Sequence, residues 1–264
     1  MCVSSSPARF TSTILYAGEH KHPSGKAVHV LGYQNTVENI HYGPNAMLLP
    51  IPSAAEMGSD NILDTSKTPE VLGDLRAAVS ASWDTLERGF GPACAAGGVE
   101  RAKVFDKGRY TIVLAKDARA IKAALSRVPE NRRPTVKHEL TVAYAYWYPG
   151  WHVALCCFDA REMSPADPIL WWYEPKDPNR LFYPGLDAHD GNRPNLKRLV
   201  DVDHTLIAGC TTERNAKGWG SPGVGEAVYG NKIPETMAPF LPDKVIGMGS
   251  TREMMNGDWY MEIA

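Results

Sequence analysis

No stretch of the chain approaches the roughly 18 consecutive apolar residues that a membrane-crossing helix requires. Lys and Arg nowhere cluster, and the formal net charge is -2, so the electrostatic footprint of a nucleic-acid binder is missing. The chain start has no basic residue followed by an apolar run, so no secretory leader is expected. The five cysteines are odd in number and show no Cys-x-x-Cys spacing, which excludes a paired disulfide framework and a zinc ribbon. Free thiols in a reducing compartment follow, and with them a cytoplasmic location. Gly218–Gly225 lacks a following Lys-Ser/Thr and a preceding apolar strand, so it is no phosphate loop. Internal repeats and low-complexity segments are absent, and nothing calls for a cofactor.

The 264 residues are 44% hydrophobic and include 20 prolines and 23 glycines, which suits a sizeable core built of short elements joined by turns. Residues 11–17 and 27–33 read as two strands of a hairpin around the turn at 18–25. A third strand is expected at 40–42, leading into the apolar run 46–52. There Pro50 and Pro52 cannot donate to a ladder, so that run should stop or lie at an edge. These four pieces would make one antiparallel sheet. Leu72, Leu75, Val79, Trp83 and Leu86 recur at helical spacing between Pro69 and Gly89, with Trp83 as a core anchor. Residues 102–105 and 109–115 read as a second hairpin, and Asp117 as the cap of a short helix with inner face Ile121, Ala124 and Leu125, closed by Pro129. The alternation from Val136 to Tyr148 favours a long strand, with a helix open for its first half. Strands follow at 151–158, 169–173, 181–183 and 199–208.

The fold class is α+β: mostly antiparallel sheet with two packed helices, in a helix–sheet–sheet–helix layering. Residues 1–210 form one domain. Residues 211–264 form a glycine-rich arm whose apolar side chains must be buried on that domain or, the favoured choice, on a neighbouring subunit of a homo-oligomer.

The chemistry most pointedly suggested lies at the chain start. Removal of Met1 would leave Cys2 with a free α-amino group, which titrates near 7.7–8.0 and can serve as base to its own thiol. This predicts a terminal-nucleophile hydrolase or acyl-transfer protein acting on a small amide or peptide-like substrate, with Asn35 as oxyanion donor and Arg9 as contact for a substrate carboxylate. The bland alternative is a packed or disordered terminus, and with it a non-catalytic protein that self-assembles or docks a partner through its arm and exposed aromatics.

Several short motifs accompany Cys2: Tyr42-Gly43-Pro44, the run Met47 to Pro52, Tyr110 to Leu114 entering a helix at Asp117, Tyr148-Pro149-Gly150-Trp151-His152-Val153, and Tyr183-Pro184. Together, over residues 2–184, they resemble a family of uncharacterised bacterial proteins, many of them secreted, with Cys near the mature N-terminus. The chain departs from that pattern in having no leader, Val3 in place of a Gly, and the extra tail. The resemblance implies no activity and adds weight only to Cys2.

A second set is acidic and imidazole-rich: Asp187 and His189 on a loop, and Asp201, Asp203 and His204 on a strand. Asp201 and Asp203 share a face, but the spacing matches no metal signature, so no metal is assigned and His189, Asp201, Asp203 and His204 are weak candidates only. His20 and His22 are read as exposed turn residues. The aromatics from Tyr144 to Trp151 and Trp171 to Tyr173 line a groove or fill a core. Core is expected for most, with Trp147 or Trp172 outward and Cys156 and Cys157 on opposite faces.

Overall fold

The computed structural model describes residues 3–40, 43–80, 102–159, 164–209 and 223–263. The start of the chain forms a long hairpin of β1 (Ala8–Lys21) and β2 (Ala27–Asn39). β3 (Asn45–Ile51) and α1 (Val71–Ser80) follow, then the hairpin of β4 (Lys103–Lys107) and β5 (Tyr110–Ala115). α2 (Ile121–Ala124) and α3 (His138–Trp147) precede β6 (His152–Phe158), β7 (Ser164–Pro165), β8 (Ile169–Tyr173) and β9 (Arg180–Tyr183). The chain closes with β10 (Leu199–Gly209), β11 (Gly223–Glu226), β12 (Lys244–Met255) and β13 (Trp259–Glu262).

Alternation along the strands dictates the layers. In β5 and β6, Ile112, Leu114, Ala154 and Cys156 point one way, and Val113, Ala115, Val153, Leu155 and Cys157 the other. Both faces are apolar, so the four-stranded sheet β3-β6-β5-β4 must be covered twice. One cover is a seven-stranded sheet in the order β11-β12-β10-β1-β2, with β7 and β8 both paired to β2. That sheet contributes Leu15, Ala17, Leu31 and Tyr33 to the shared interior. The other cover is α2 and α3, through Ile121, Leu140 and Tyr144. The outer face of the larger sheet, with Ile14, Tyr16, Val28 and Val30, is covered by Leu72, Leu75 and Val79 of α1. The result is the expected α+β class, layered helix–sheet–sheet–helix. Cys156 and Cys157 do face opposite layers, and burial pushes the Cys157 thiol up to about 12, so it is inert.

Several expectations are corrected. The segment read as a strand from Val136 to Tyr148 is helix α3. Leu140, Tyr144 and Tyr148 are buried while Val142 and Tyr146 are exposed, because an every-fourth-residue pattern also satisfies an even-numbered alternation. No strand begins at Ile40, which follows the end of β2; His41 and Tyr42 lie outside the described residues. β3 joins the smaller sheet, not the hairpin's, and there it is an edge strand containing Pro50. Helix α1 begins at Val71, and Trp83 lies outside the described residues, as does Cys94.

The tail does not stand apart from the body. β12 pairs antiparallel with β10 along its whole length, from Leu199↔Met255 to Gly209↔Val245, and β13 pairs with β9. Val245, Met254, Trp259 and Met261 are thereby buried within the same chain, so the described part of the tail needs no second subunit to cover them. No described helix is long and apolar enough to cross a membrane.

Candidate functional site

The start of the chain is tied down from both sides. β3 has an outer edge that would leave main-chain groups unpaired, and Val3–Ser5 fill it: Leu48 N donates to Val3 O (3.0 Å) and Ser5 N to Ala46 O (2.9 Å). On the opposite side Val3 bridges Ala188, and Ser4 N donates to Ala188 O (3.0 Å). Asn45 closes the turn by accepting from Ser5 Oγ (2.9 Å) and Ser6 N (3.0 Å) and donating to Ser6 O (3.1 Å). Val3 is 1% exposed.

The loop carrying Ala188 is itself anchored by the turn between β12 and β13. Asn256 accepts from Asp187 N and donates to Asp187 O, each at 2.8 Å. Asp258 accepts from Gly185 N (2.7 Å), Leu186 N (3.3 Å) and Tyr148 Oη (2.6 Å). Desolvation pushes the Asp258 carboxyl up to about 6, against the opposing pull of these hydrogen bonds. The phenol of Tyr148 is raised well above its ordinary value by burial and by that carboxylate. Val3, Tyr33, Leu48, Tyr144, Tyr148 and Asp258 line a cavity of about 10 Å³, no more than a single water requires.

A raised carboxyl pKa means that the folded chain holds more protons than the unfolded chain between about pH 4 and 6. The stabilisation from Asp258 is therefore full below pH 4 and is lost as pH rises through 6. His20 and His29, both lowered to about 4 by burial, slope the other way, since their neutral forms favour folding above pH 6.5 and lose that advantage on acidification. We therefore expect Asp258→Asn, which keeps the acceptor for the loop amides, to change the slope of unfolding free energy against pH between 4 and 6 by up to about 1.4 kcal/mol per unit. Urea melts of both proteins across that range test this; parallel curves would show that Asp258 titrates as an ordinary carboxylate.

The residues singled out in the sequence are dispersed. Cys2 lies outside the described residues. Asn35 is 2% exposed, and its amide donates to Tyr33 Oη (2.9 Å) and Met47 Sδ (3.5 Å), so its donors are committed inside the core rather than offered to an oxyanion. Arg9 is exposed and pairs across the hairpin with Glu38 (3.1 Å), an arrangement worth little in solvent. On β10, Asp201 and Asp203 share the exposed face as expected, and Asp203 accepts from Ser12 N (2.8 Å) at a bulge in β1. His204 points the other way and packs against Trp259, 5.6 Å between ring centroids. His189 pairs with Asp187 (2.6 Å) and leans on Phe10. Adjacent strand residues face opposite sides, so β10 cannot bring Asp203 and His204 together, and no group of three or more metal-ligating side chains occurs among the described residues. His20 turns inward to Tyr16 Oη (2.5 Å) rather than into solvent, and His22 packs on Trp172 and Phe240. Of the aromatics, Tyr144, Tyr148, Trp171 and Tyr173 are core, Trp147 and Trp172 are half-buried, and Tyr146 is exposed.

Asn45, Asn256 and Asp258 escaped sequence reasoning. Asn256-Gly257-Asp258, between two apolar stretches, is a recognisable turn signature. Nothing local says that it reaches a loop some 70 residues earlier.

These observations define a class: a two-sheet α+β body, faced by helices on both sides, whose chain start and C-terminal turn are knitted to one loop. No family model matches the chain, and no curated protein does either. Among solved structures, this fold is that of baculovirus P35, whose crystal structure matches with a TM-score of 0.54 at 13% identity over 99% of each chain. A mutated baculovirus P35 after caspase cleavage matches with a TM-score of 0.52 at 12% identity, over 96% of this chain and 99% of that one. P35 in its complex with caspase-8 matches with a TM-score of 0.50 at 13% identity over 96% of each chain. At such identities the likeness is one of fold.

Proposed function

We propose that this chain is a non-catalytic protein whose partner is a protease of the caspase class. The observation that carries the reading is the extent of the likeness: both sheets and the strands of the tail fall within a match spanning 99% of each chain, and the P35 structures include a complex with caspase-8. The cavity beside Val3 has no room for an amide substrate. Size-exclusion chromatography with light scattering on a mixture with purified caspase-8 should yield a complex of defined stoichiometry, together with loss of hydrolysis of a fluorogenic peptide. Separate elution with undiminished hydrolysis would overturn the reading.

A second reading, the terminal-cysteine acyl-transfer protein, draws on the Asp187–His189 pair that flanks Ala188, the bridging partner of Val3. It requires Cys2 to be the fastest-labelling of the five thiols. Brief alkylation followed by peptide mapping tests this, and retention of Met1 or an inert Cys2 ends it.

A further inference from the structure

The two sheets part at one end of the sandwich, where Val37 of the larger sheet and Ala166, just after β7, face Tyr110 and Phe158 of the smaller. Tyr110 and Phe158 meet edge to face, 6.3 Å between centroids, and these four residues, all buried, make an apolar floor. Above it opens a pocket of about 120 Å³ rimmed by Arg109, Asn131, Arg132 and Asp159. Arg132 is the informative member. Its side chain is only 29% exposed, yet its ion pair is a long contact of 3.8 Å to Asp106, itself 70% exposed. With no closer carboxylate among the described residues, the guanidinium keeps donors for a bidentate oxyanion.

We propose that this pocket receives one acidic side chain of a partner peptide. An apolar floor below a guanidinium suits a carboxylate on a short aliphatic stem. Asp159 on the rim opposes a doubly charged ion such as phosphate, and the side-chain amide of Asn131 offers an acceptor and donors to the flanking peptide backbone. The volume accommodates a side chain but not a peptide, so the backbone crosses the mouth. The inference stands on the pocket alone and does not depend on the identity of the protease.

The test is NMR titration with N-acetyl-glutamate N-methylamide, read at the ring protons of Tyr110 and Phe158. Saturable shifts are expected, with none from the glutamine counterpart. Arg132→Gln should weaken binding about tenfold or more, as loss of a charge-assisted contact does, while Arg132→Lys recovers part of it. An unchanged thermal midpoint establishes that both variants are folded. Equal shifts from the glutamate and glutamine derivatives, or no shift from either, would overturn the proposal. Binding of butyrate as tightly as the glutamate derivative would overturn the peptide assignment, because the backbone would then contribute nothing.

Discussion

Trp171→Ala is expected to destabilise the fold by about 3–5 kcal/mol, a large part of the stability of an ordinary domain. Trp171 is fully buried between the two sheets. It sits on β8 opposite Leu31, bridges Ile62, and meets Phe105 of the smaller sheet edge to face at 6.4 Å. It therefore joins both sheets and the loop after β3 at one point, and no single neighbour can collapse into the space it would leave. Trp171→Phe should cost much less. It retains an aromatic ring and removes an indole N–H that is buried without a hydrogen-bond partner among the described residues. Urea denaturation would show the alanine midpoint far below wild type, with the phenylalanine midpoint between them and m unchanged. If alanine and phenylalanine cost the same, the volume of the ring is not what holds the sheets together.

Gly191→Ala is expected to cost roughly 2–4 kcal/mol and to loosen the start of the chain. Gly191 has φ of +74°, a region in which an alanine is strained. A Cβ there would lie 2.3 Å from Ser5 O, which is backbone and cannot swing aside. The displacement would fall on the segment that closes the β3 edge, so the amides of Ser4 and Ser5 should exchange with solvent much faster in the variant. If the thermal midpoint falls while those amides remain protected, the strain is absorbed by the 185–191 loop rather than passed to the N-terminus. A substitution on an exposed strand face, Asp201→Ala, is the matched control, with an effect near zero.

What could be read from the chain was what neighbouring residues decide among themselves. The β1–β2 and β4–β5 hairpins follow from turn residues between apolar stretches. Asp117 accepts from Arg119 N (2.9 Å) at the start of the turn leading into α2, as its place before an apolar helical face predicts. Cys156 and Cys157 take opposite sides because successive residues of any strand do so. Even the double cover on the smaller sheet is implicit in the continuous apolar run of β6. Local patterns stop where two structures satisfy them equally: Leu140, Tyr144 and Tyr148 fit a strand by parity and a helix by spacing. Only the sheet face beneath them, which needs a stripe rather than an edge, selects α3.

The non-local arrangement belongs to the tertiary structure. β1 lies parallel to β10, with Thr13 beside His204. β12 enters between β10 and β11, and Asp258 reaches Tyr148 from 110 residues away. Such pairings are chosen by which apolar faces remain uncovered once the local elements have formed, and closing long loops adds little penalty beyond that of shorter ones. The sequence alone therefore determined the hairpins, the cap and the class. The membership of each sheet, the anchoring of the chain start and the pocket beside Arg132 were decided by the packing of the two sheets, because each is built from side chains that meet only when distant faces are buried together.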